Sequence, residues 1–192
     1  MEKNSVINKC SLLIIGGSAG SLDVILKLLP DLRHDLPFPV IVVLHRKSSS
    51  DSVLTGLFAS KTNLVVKEAE EKDIISSGCI YIAPADYHLL IEKDYSFSLD
   101  FSEKVNFSRP SIDVTFETAA EAYQSNLACL LLSGASDDGT KGLKAVKIFG
   151  GAAFVQNPKT AQVAYMPEKA IAAVEVDRII DADEMASCIN SL

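Results

Sequence analysis

Blocks of apolar residues alternate with polar ones along this chain, and their lengths and spacings predict strands and helices in turn. Leu12 to Ile15 is a short apolar run that enters a turn of Gly16, Gly17, Ser18, Ala19 and Gly20. Leu22, Ile25, Leu26 and Leu29 leave that turn at the spacing of one helix face, so the stretch reads as strand, tight turn, helix. Pro30, Pro37 and Pro39 mark a connecting loop, after which Val40 to Leu44 runs apolar without alternation, as a strand buried on both faces does. His45 ends that strand; Arg46 to Asp51 predicts a loop and a cap before a helix from about Asp51 to Ala59. Asn63 to Val66 reads as a short third strand and Glu68 to Asp73 as a charged surface segment.

Gly78 to Glu92 holds two β-rich pieces divided by a turn at Pro84, and Tyr95 to Phe101 alternates in polarity like a half-exposed antiparallel strand. The reading is a hairpin attached to a mainly parallel sheet. Pro110 stands near the start of a helix through Tyr123, where a missing N–H costs little. Asn126 to Leu132 is another buried strand, stopping at Ser133 to Thr140; a helix from about Gly139 to Ile148 ends at Gly150-Gly151. Ala152 to Gln156 follows as a strand broken by Asn157-Pro158, then short helices at Met166 to Ala172 and Glu184 to Ile189. Strands alternating with helices predict an α/β fold: a doubly wound, Rossmann-like, mainly parallel sheet with helices on both faces and one antiparallel hairpin. Without a repeat, low-complexity tract or linker, residues 1–192 read as a single domain.

Composition narrows the function. A formal charge of −7 and no run of Lys and Arg disfavour a nucleic-acid or anionic-membrane binder. Cys10, Cys79, Cys129 and Cys188 are widely spread with no C-x-x-C pair, which suits buried thiols in a reducing compartment better than a zinc site or a disulfide framework. Neither a signal-peptide core nor an apolar stretch near the roughly 20 residues of a membrane span is present, so the expected setting is soluble and cytoplasmic.

Candidate chemistry gathers at one sheet edge. Gly16-x-Ser18-x-Gly20 has the spacing in which small flanking residues expose a serine hydroxyl on a strand-to-helix bend, with helix N–H groups behind it suited to an oxyanion. In a parallel sheet ligands bind beyond the carboxyl ends of the strands, and there three strands deliver Ser18, His45, and Asp138 with Asp137 beside it. A hydroxyl needs a base to become a nucleophile, and an imidazole works best when a carboxylate fixes its tautomer, so nucleophile, base and orienting acid are all supplied. Each has a bland alternative: Ser18 or Ser21 capping the first helix, His45 bonded to backbone, Asp137 or Asp138 capping the later helix. The spacing is neither G-x-G-x-x-G nor a P-loop, and His45 stands where a dinucleotide binder carries an acidic residue. The order Ser, His, Asp also departs from the α/β-hydrolase order, in which histidine comes last. His34 reads as a solvated loop residue, and His88 as the rival base.

At these residues the sequence resembles the catalytic domain of the chemotaxis protein-glutamate methylesterases, the CheB family. The resemblance is carried by Ile15-Gly-Gly-Ser18-Ala-Gly20, Val43-Leu-His45, Tyr81-Ile-Ala-Pro84-Ala-Asp-Tyr-His88-Leu, Arg109-Pro-Ser-Ile-Asp113, Ser133-Gly-Ala-Ser-Asp-Asp138-Gly139 and Met166-Pro167. It implies Ser18 as nucleophile, His45 as general base and Asp138, directly before Gly139, as its partner, with Asp137 at a more variable position. It also implies hydrolysis of glutamate methyl esters on the cytoplasmic helices of chemoreceptors, in some members glutamine deamidation, and no metal or cofactor. A receiver domain that precedes the esterase in most members has no counterpart here, so phosphorylation control is expected from a separate receiver protein. Ala19, Ser21 and Ala135 stand where relatives commonly have Thr, Gly and Met.

The sequence therefore predicts a serine esterase in which backbone N–H groups near Ser18 and His45 hold the oxyanion. Arg109 is left open between anchoring acidic substrate side chains and a structural role. The alternative from another class is a non-catalytic adaptor that keeps the fold to bind a receptor-like helical partner.

Overall fold

The computed structural model describes residues 9–46 and 51–192; the cap expected between Arg46 and Asp51 lies outside the described residues. The main sheet has seven strands in the order β3-β4-β2-β1-β7-β8-β9, all paired in parallel. These are β1 (Leu12–Gly17), β2 (Val40–Leu44), β3 (Val65–Glu68), β4 (Cys79–Ile82), β7 (Leu127–Leu131), β8 (Ala152–Gln156) and β9 (Arg178–Ile180). The hairpin, β5 (His88–Ile91) with β6 (Phe97–Asp100), forms a separate two-stranded antiparallel sheet.

Helices cover both faces: α1 (Ser21–Leu28), α2 (Asp51–Ala59), α3 (Ile112–Tyr123), α4 (Thr140–Ile148), α5 (Tyr165–Ala173) and α6 (Met185–Asn190). The apolar run of β1 explains why two layers are needed. Leu13 and Ile15 face one core with Val24, Ile25 and Leu28 of α1, Leu54 and Phe58 of α2, and Met185 and Ile189 of α6. Leu12 and Ile14 face the other, with Ile112 and Phe116 of α3, Leu143 and Val146 of α4, and Met166 of α5. Successive strand residues point to opposite faces, so a strand with no polar alternation must be buried on both.

The doubly wound architecture agrees with the sequence pattern, with differences at the edges. β3 begins at Val65 and takes in Glu68, which the pattern assigned to a surface segment; as an edge strand it needs only one partner, and Val65 is 64% exposed. β9 has no counterpart in the pattern: three residues at the opposite edge are strand because β8 offers them a register, Val155 against Ile179. α5 starts at Tyr165, so Pro167 lies within its first turn, where no N–H partner is lost. The α1 face also differs, since Val24, Ile25 and Leu28 are buried while Leu22 is 36% exposed. All four cysteines are buried and free. Among the described residues no helix is long and apolar enough to cross a membrane.

Strand connections leave β1 toward β2 on one side, whereas β7 enters on the other. The crevice beyond their carboxyl ends is thus the topological switch point, the place where such sheets hold ligands.

Candidate active site

β1 ends in Gly17 and the chain turns sharply through Ser18 into α1. Gly20, with φ of 81°, is the N-cap, and a Cβ there would fall 2.5 Å from Gln162, so the bend requires glycine. Neither serine caps α1 by its side chain; the Ser21 hydroxyl instead donates to the Ser18 carbonyl. A second loop braces the bend: Ser18 N–H donates to the Ser133 carbonyl at 2.9 Å, and Ser133 Oγ donates to the Ala19 carbonyl at 2.7 Å. Buried Gln156 completes the brace, accepting from Ser133 N–H and donating to the Thr160 carbonyl. The N–H groups of Ala19 and Gly20, next to Ser18 in the bend, have no hydrogen-bond acceptor among the described residues. His45 N–H donates to the Gly17 carbonyl at 3.2 Å and is therefore already engaged.

β2 delivers His45. Its Nε2 lies 2.7 Å from Asp138 Oδ2, with the imidazole side chain 12% exposed and the carboxylate fully buried. Asp138 does not cap α4, whose N-cap is Gly139 without a side-chain bond. It caps α3 instead, accepting from Ile112 N–H at 2.7 Å, Asp113 N–H at 3.0 Å and Ser111 Oγ at 2.8 Å. The exchange is reciprocal: Asp113 in the first turn of α3 accepts from Gly139 N–H and Gly142 N–H at the start of α4. Each helix therefore places a carboxylate at the positive end of the other's dipole. Asn106 Nδ2 donates to both, to Asp113 Oδ2 at 2.9 Å and Asp138 Oδ1 at 3.3 Å, and so sits between two like charges.

Burial would push the Asp138 carboxyl up, but the His45 hydrogen bond and the Asp113 and Ile112 N–H groups outweigh it and hold the group below its ordinary value. The aspartate is thus an ionised acceptor at neutral pH, and His45 Nε2 carries the proton. Asp113 behaves oppositely. Burial, reinforced by the Asp138 charge and opposed by the N–H groups of Gly142 and Gly139, pushes it from an ordinary 3.8 to about 6.

A carboxyl raised in the folded state binds protons that the unfolded chain has already released, so its contribution to stability falls as pH climbs from about 4 to about 6 and is constant above. Asp113→Asn removes that titration. The melting temperature of the parent relative to this variant should drop across that window and then level off, as measured by thermal melts from pH 4 to 7.5; a flat difference would refute the assignment.

Ser18 and His45 line one cavity of about 220 Å³ whose remaining wall is mainly Leu22, Leu44, Val53, Leu54 and Leu57. That cavity explains the exposure of Leu22. Among the described residues no hydrogen bond joins the Ser18 hydroxyl to His45; the hydroxyl that reaches His45 Nδ1 is that of Ser108, at 3.3 Å. On its other side His45 borders a polar cleft with Arg46, Asp86, Lys104, Phe107, Ser108 and Arg109. Gly134 supplies the close approach that sets Ser18. A Cβ at Gly134 would lie 2.5 Å from Met166 Cε and 3.0 Å from Ser18 Cβ. Gly134→Ala should therefore lower esterase turnover by on the order of 100-fold through displacement of Ser18, against a loss of about 1–3 kcal/mol in stability, read by methanol release and thermal melts. Unchanged turnover would mean that Met166 alone absorbs the methyl group.

His88, the rival base, is buried with both nitrogens engaged: Nε2 with the Glu103 carbonyl at 2.9 Å and Nδ1 with Ser111 N–H at 3.1 Å. It has no nitrogen left for a substrate. Asp137 and His34 are exposed. Arg109 donates from Nη1 to the Phe101 and Ser102 carbonyls and stacks 3.9 Å above the Phe101 ring, so it has a structural role while lining the cleft beside His45.

The sequence model of the CheB methylesterase family matches residues 13–189. The chain belongs to the CheB methylesterase family. The solved Thermotoga maritima CheB methylesterase catalytic domain superposes with a TM-score of 0.91 at 32% identity, covering 95% of this chain and 98% of that one. The Thermotoga maritima protein-glutamate methylesterase/protein-glutamine glutaminase is 36% identical over 177 residues, 89% of this chain and 51% of that protein. The protein of the same name from Halobacterium salinarum is 34% identical over 182 residues, 92% of this chain and 52% of that protein. A Leptospira interrogans protein, named provisionally for the same pair of activities, is 46% identical over 174 residues, 91% of this chain and 90% of that protein. This CheB-family chain thus spans about half the length of the Thermotoga and Halobacterium relatives and nine-tenths of the Leptospira one.

Membership in the CheB family gives the quoted blocks a physical meaning. Arg109-Pro-Ser-Ile-Asp113 is the stretch that receives Asp138 at the start of α3. Ser111 and Asp113 were visible there as motif residues without a role. Asn106 and Ser108 carried no sequence signal, because their importance comes from a turn assembled in three dimensions, and Leu22 reads in the sequence as part of the apolar face of α1 but instead lines the cavity wall. Among the departures, Ala19 and Ala135 are exposed and Ser21 is fully buried, its hydroxyl held by the bend.

Proposed function

We propose that this chain is a cytoplasmic serine esterase hydrolysing glutamate γ-methyl esters on the helical signalling region of chemoreceptors, acting as a single catalytic unit with Ser18, His45 and Asp138 as its triad. The observation that carries the reading is the 2.7 Å bond from His45 Nε2 to the buried, ionised Asp138 at the switch point, with Ser18 on the wall of the same cavity. Ser18 Oγ attacks the ester carbonyl carbon while His45 Nδ1 takes its proton. Ala19 and Gly20 N–H groups receive the negative oxygen, the C–OCH₃ bond breaks, and His45 returns the proton to the departing methoxide as methanol. Water, deprotonated by His45, then attacks the acyl-enzyme and frees glutamate and Ser18. The apolar wall of Leu22, Val53, Leu54 and Leu57 suits the uncharged ester better than the carboxylate product.

The same acyl-enzyme forms from a glutamine side chain if ammonia leaves in place of methanol, in keeping with the double activity in the relatives' names. An adaptor of this fold would keep the buried aspartate for its bonds to α3 but has no use for its bond to an imidazole. Labelling by a serine-directed phosphonate, with the site mapped by mass spectrometry, tests the proposal: modification of Ser18 together with methanol release from a methylated receptor supports it, and receptor binding without turnover supports the adaptor.

A further inference from the structure

The turn Val105 to Ser108 carries a feature that the triad leaves unused. Val105 and Ser108 exchange both backbone hydrogen bonds, and the two residues between them have positive φ, 49° at Asn106 and 63° at Phe107. Such a turn normally takes small residues, and a bulky phenylalanine there is strained. The Phe107 ring is 97% exposed, so its own burial does not compensate the strain. What the turn achieves is placement of its neighbours: Asn106 between the two carboxylates, Ser108 against His45. On the far side Arg109 is fixed to the Phe101 and Ser102 carbonyls.

Ser108 Oγ has two acceptors within reach, His45 Nδ1 at 3.3 Å and the Asn106 carbonyl at 3.5 Å, and one proton to give. Because Nε2 donates to Asp138, neutral His45 presents a lone pair at Nδ1, and Ser108 can donate to it. Once Nδ1 is protonated, Ser108 can bond to it only as an acceptor, with its own proton turned to the Asn106 carbonyl.

We propose that Ser108 is a positioning residue for His45, a hydroxyl rotor that donates to Nδ1 when the imidazole is neutral and accepts from Nδ1–H when it is protonated. The inference rests on the triad reading for its consequence, not for its geometry. Nδ1 has one lone pair, so Ser108 holds the ring in the resting enzyme and gives way as the Ser18 ester bond forms: its own proton turns to the Asn106 carbonyl and the Ser18 Oγ proton passes to Nδ1. Ser108 then accepts from Nδ1–H until that proton leaves for the methoxide as the C–OCH₃ bond breaks. Ser108 N–H is occupied by the Val105 carbonyl and no helix starts behind it, so this serine lacks the oxyanion donors of Ser18 and is no second nucleophile.

The test compares the parent with Ser108→Ala and Ser108→Thr. In the ligand-free protein, imidazole ¹⁵N spectra of the alanine variant should show the His45 Nδ1 resonance moving downfield as its lone pair loses a donor, with the threonine variant near the parent. Buried His88, bonded to Glu103 and Ser111, reports in the same spectra that the neighbouring fold is intact. In turnover, Ser108→Ala should lower kcat by on the order of 10-fold to 100-fold with KM within about twofold, and Ser108→Thr should restore kcat. An unmoved Nδ1 resonance in Ser108→Ala overturns the proposal, as does phosphonate modification of Ser108 in place of Ser18. The spectra do not depend on esterase activity, so a parent that releases no methanol refutes the proposed function while leaving the Ser108 bond separately decided.

Discussion

Ser18→Ala is expected to lower methanol release by on the order of 10⁴-fold or more, with KM for the methylated receptor nearly unchanged. The size follows from what is removed. Without the hydroxyl no acyl-enzyme forms, and what survives is water attack assisted by His45 and the Ala19 and Gly20 N–H groups. The cost to the fold should stay within about 0.5 kcal/mol, because the half-buried Ser18 hydroxyl makes no hydrogen bond among the described residues and the bend is held by backbone and by Ser133. Turnover by single-turnover methanol assay and stability by thermal melts give both numbers. Retention of more than a few per cent of activity would remove Ser18 from the nucleophile position.

Asp138→Asn should be similarly severe in turnover, about 10⁴-fold, for a different reason. An amide presents N–H as well as oxygen, and with Ser111, Asp113 and Asn106 donating to Oδ1 its oxygen takes that side, so the N–H₂ replaces Oδ2, which accepted from Ile112 N–H as well as facing His45. The amide N–H₂ is then left toward His45 and forces the ring into the tautomer with the proton on Nδ1, where it cannot accept from Ser18. Unlike the serine change, this one also costs stability, on the order of 2–3 kcal/mol, because hydrogen bonds to an ionised acceptor are replaced by bonds to a neutral one. Asp137→Asn provides the control. That carboxylate is exposed, and its loss should leave activity within about twofold. A crippled Asp137→Asn beside a healthy Asp138→Asn would assign the wrong aspartate.

Legibility in the sequence followed how local the determining forces were. Val40 to Leu44 announces a strand buried on both faces because nothing else explains five apolar residues in a row, and with it comes the position of His45 just beyond the sheet. Gly16 to Gly20 announces the bend because Gly20 takes a positive φ and a Cβ on Gly16, Gly17 or Gly20 would meet neighbouring side chains at 2.5 Å. By contrast, Arg178–Ile180 is a strand only because β8 has a free edge, and no pattern within three residues can state that. The site divides the same way. Ser18, His45 and Asp138 follow from strand ends, whereas the hydrogen bond from Ser108 to His45 and the bridging by Asn106 arise where a distant turn folds back. Helix capping, the bland alternative for Asp137 or Asp138, falls on a different partner: Asp138 serves α3, far away in sequence, and not α4 beside it.

The crossed carboxylates of α3 and α4 carry an evolutionary consequence. The aspartate proposed to orient the base is also a keystone of the helical layer, so selection for folding guards it even where selection for turnover has lapsed. The serine has no such second employment. In a lineage that abandons the reaction and keeps the scaffold, position 18 should drift first, and a descendant with Asp138 intact and Ser18 lost would be a fossil of the enzyme, not an intermediate on the way to one.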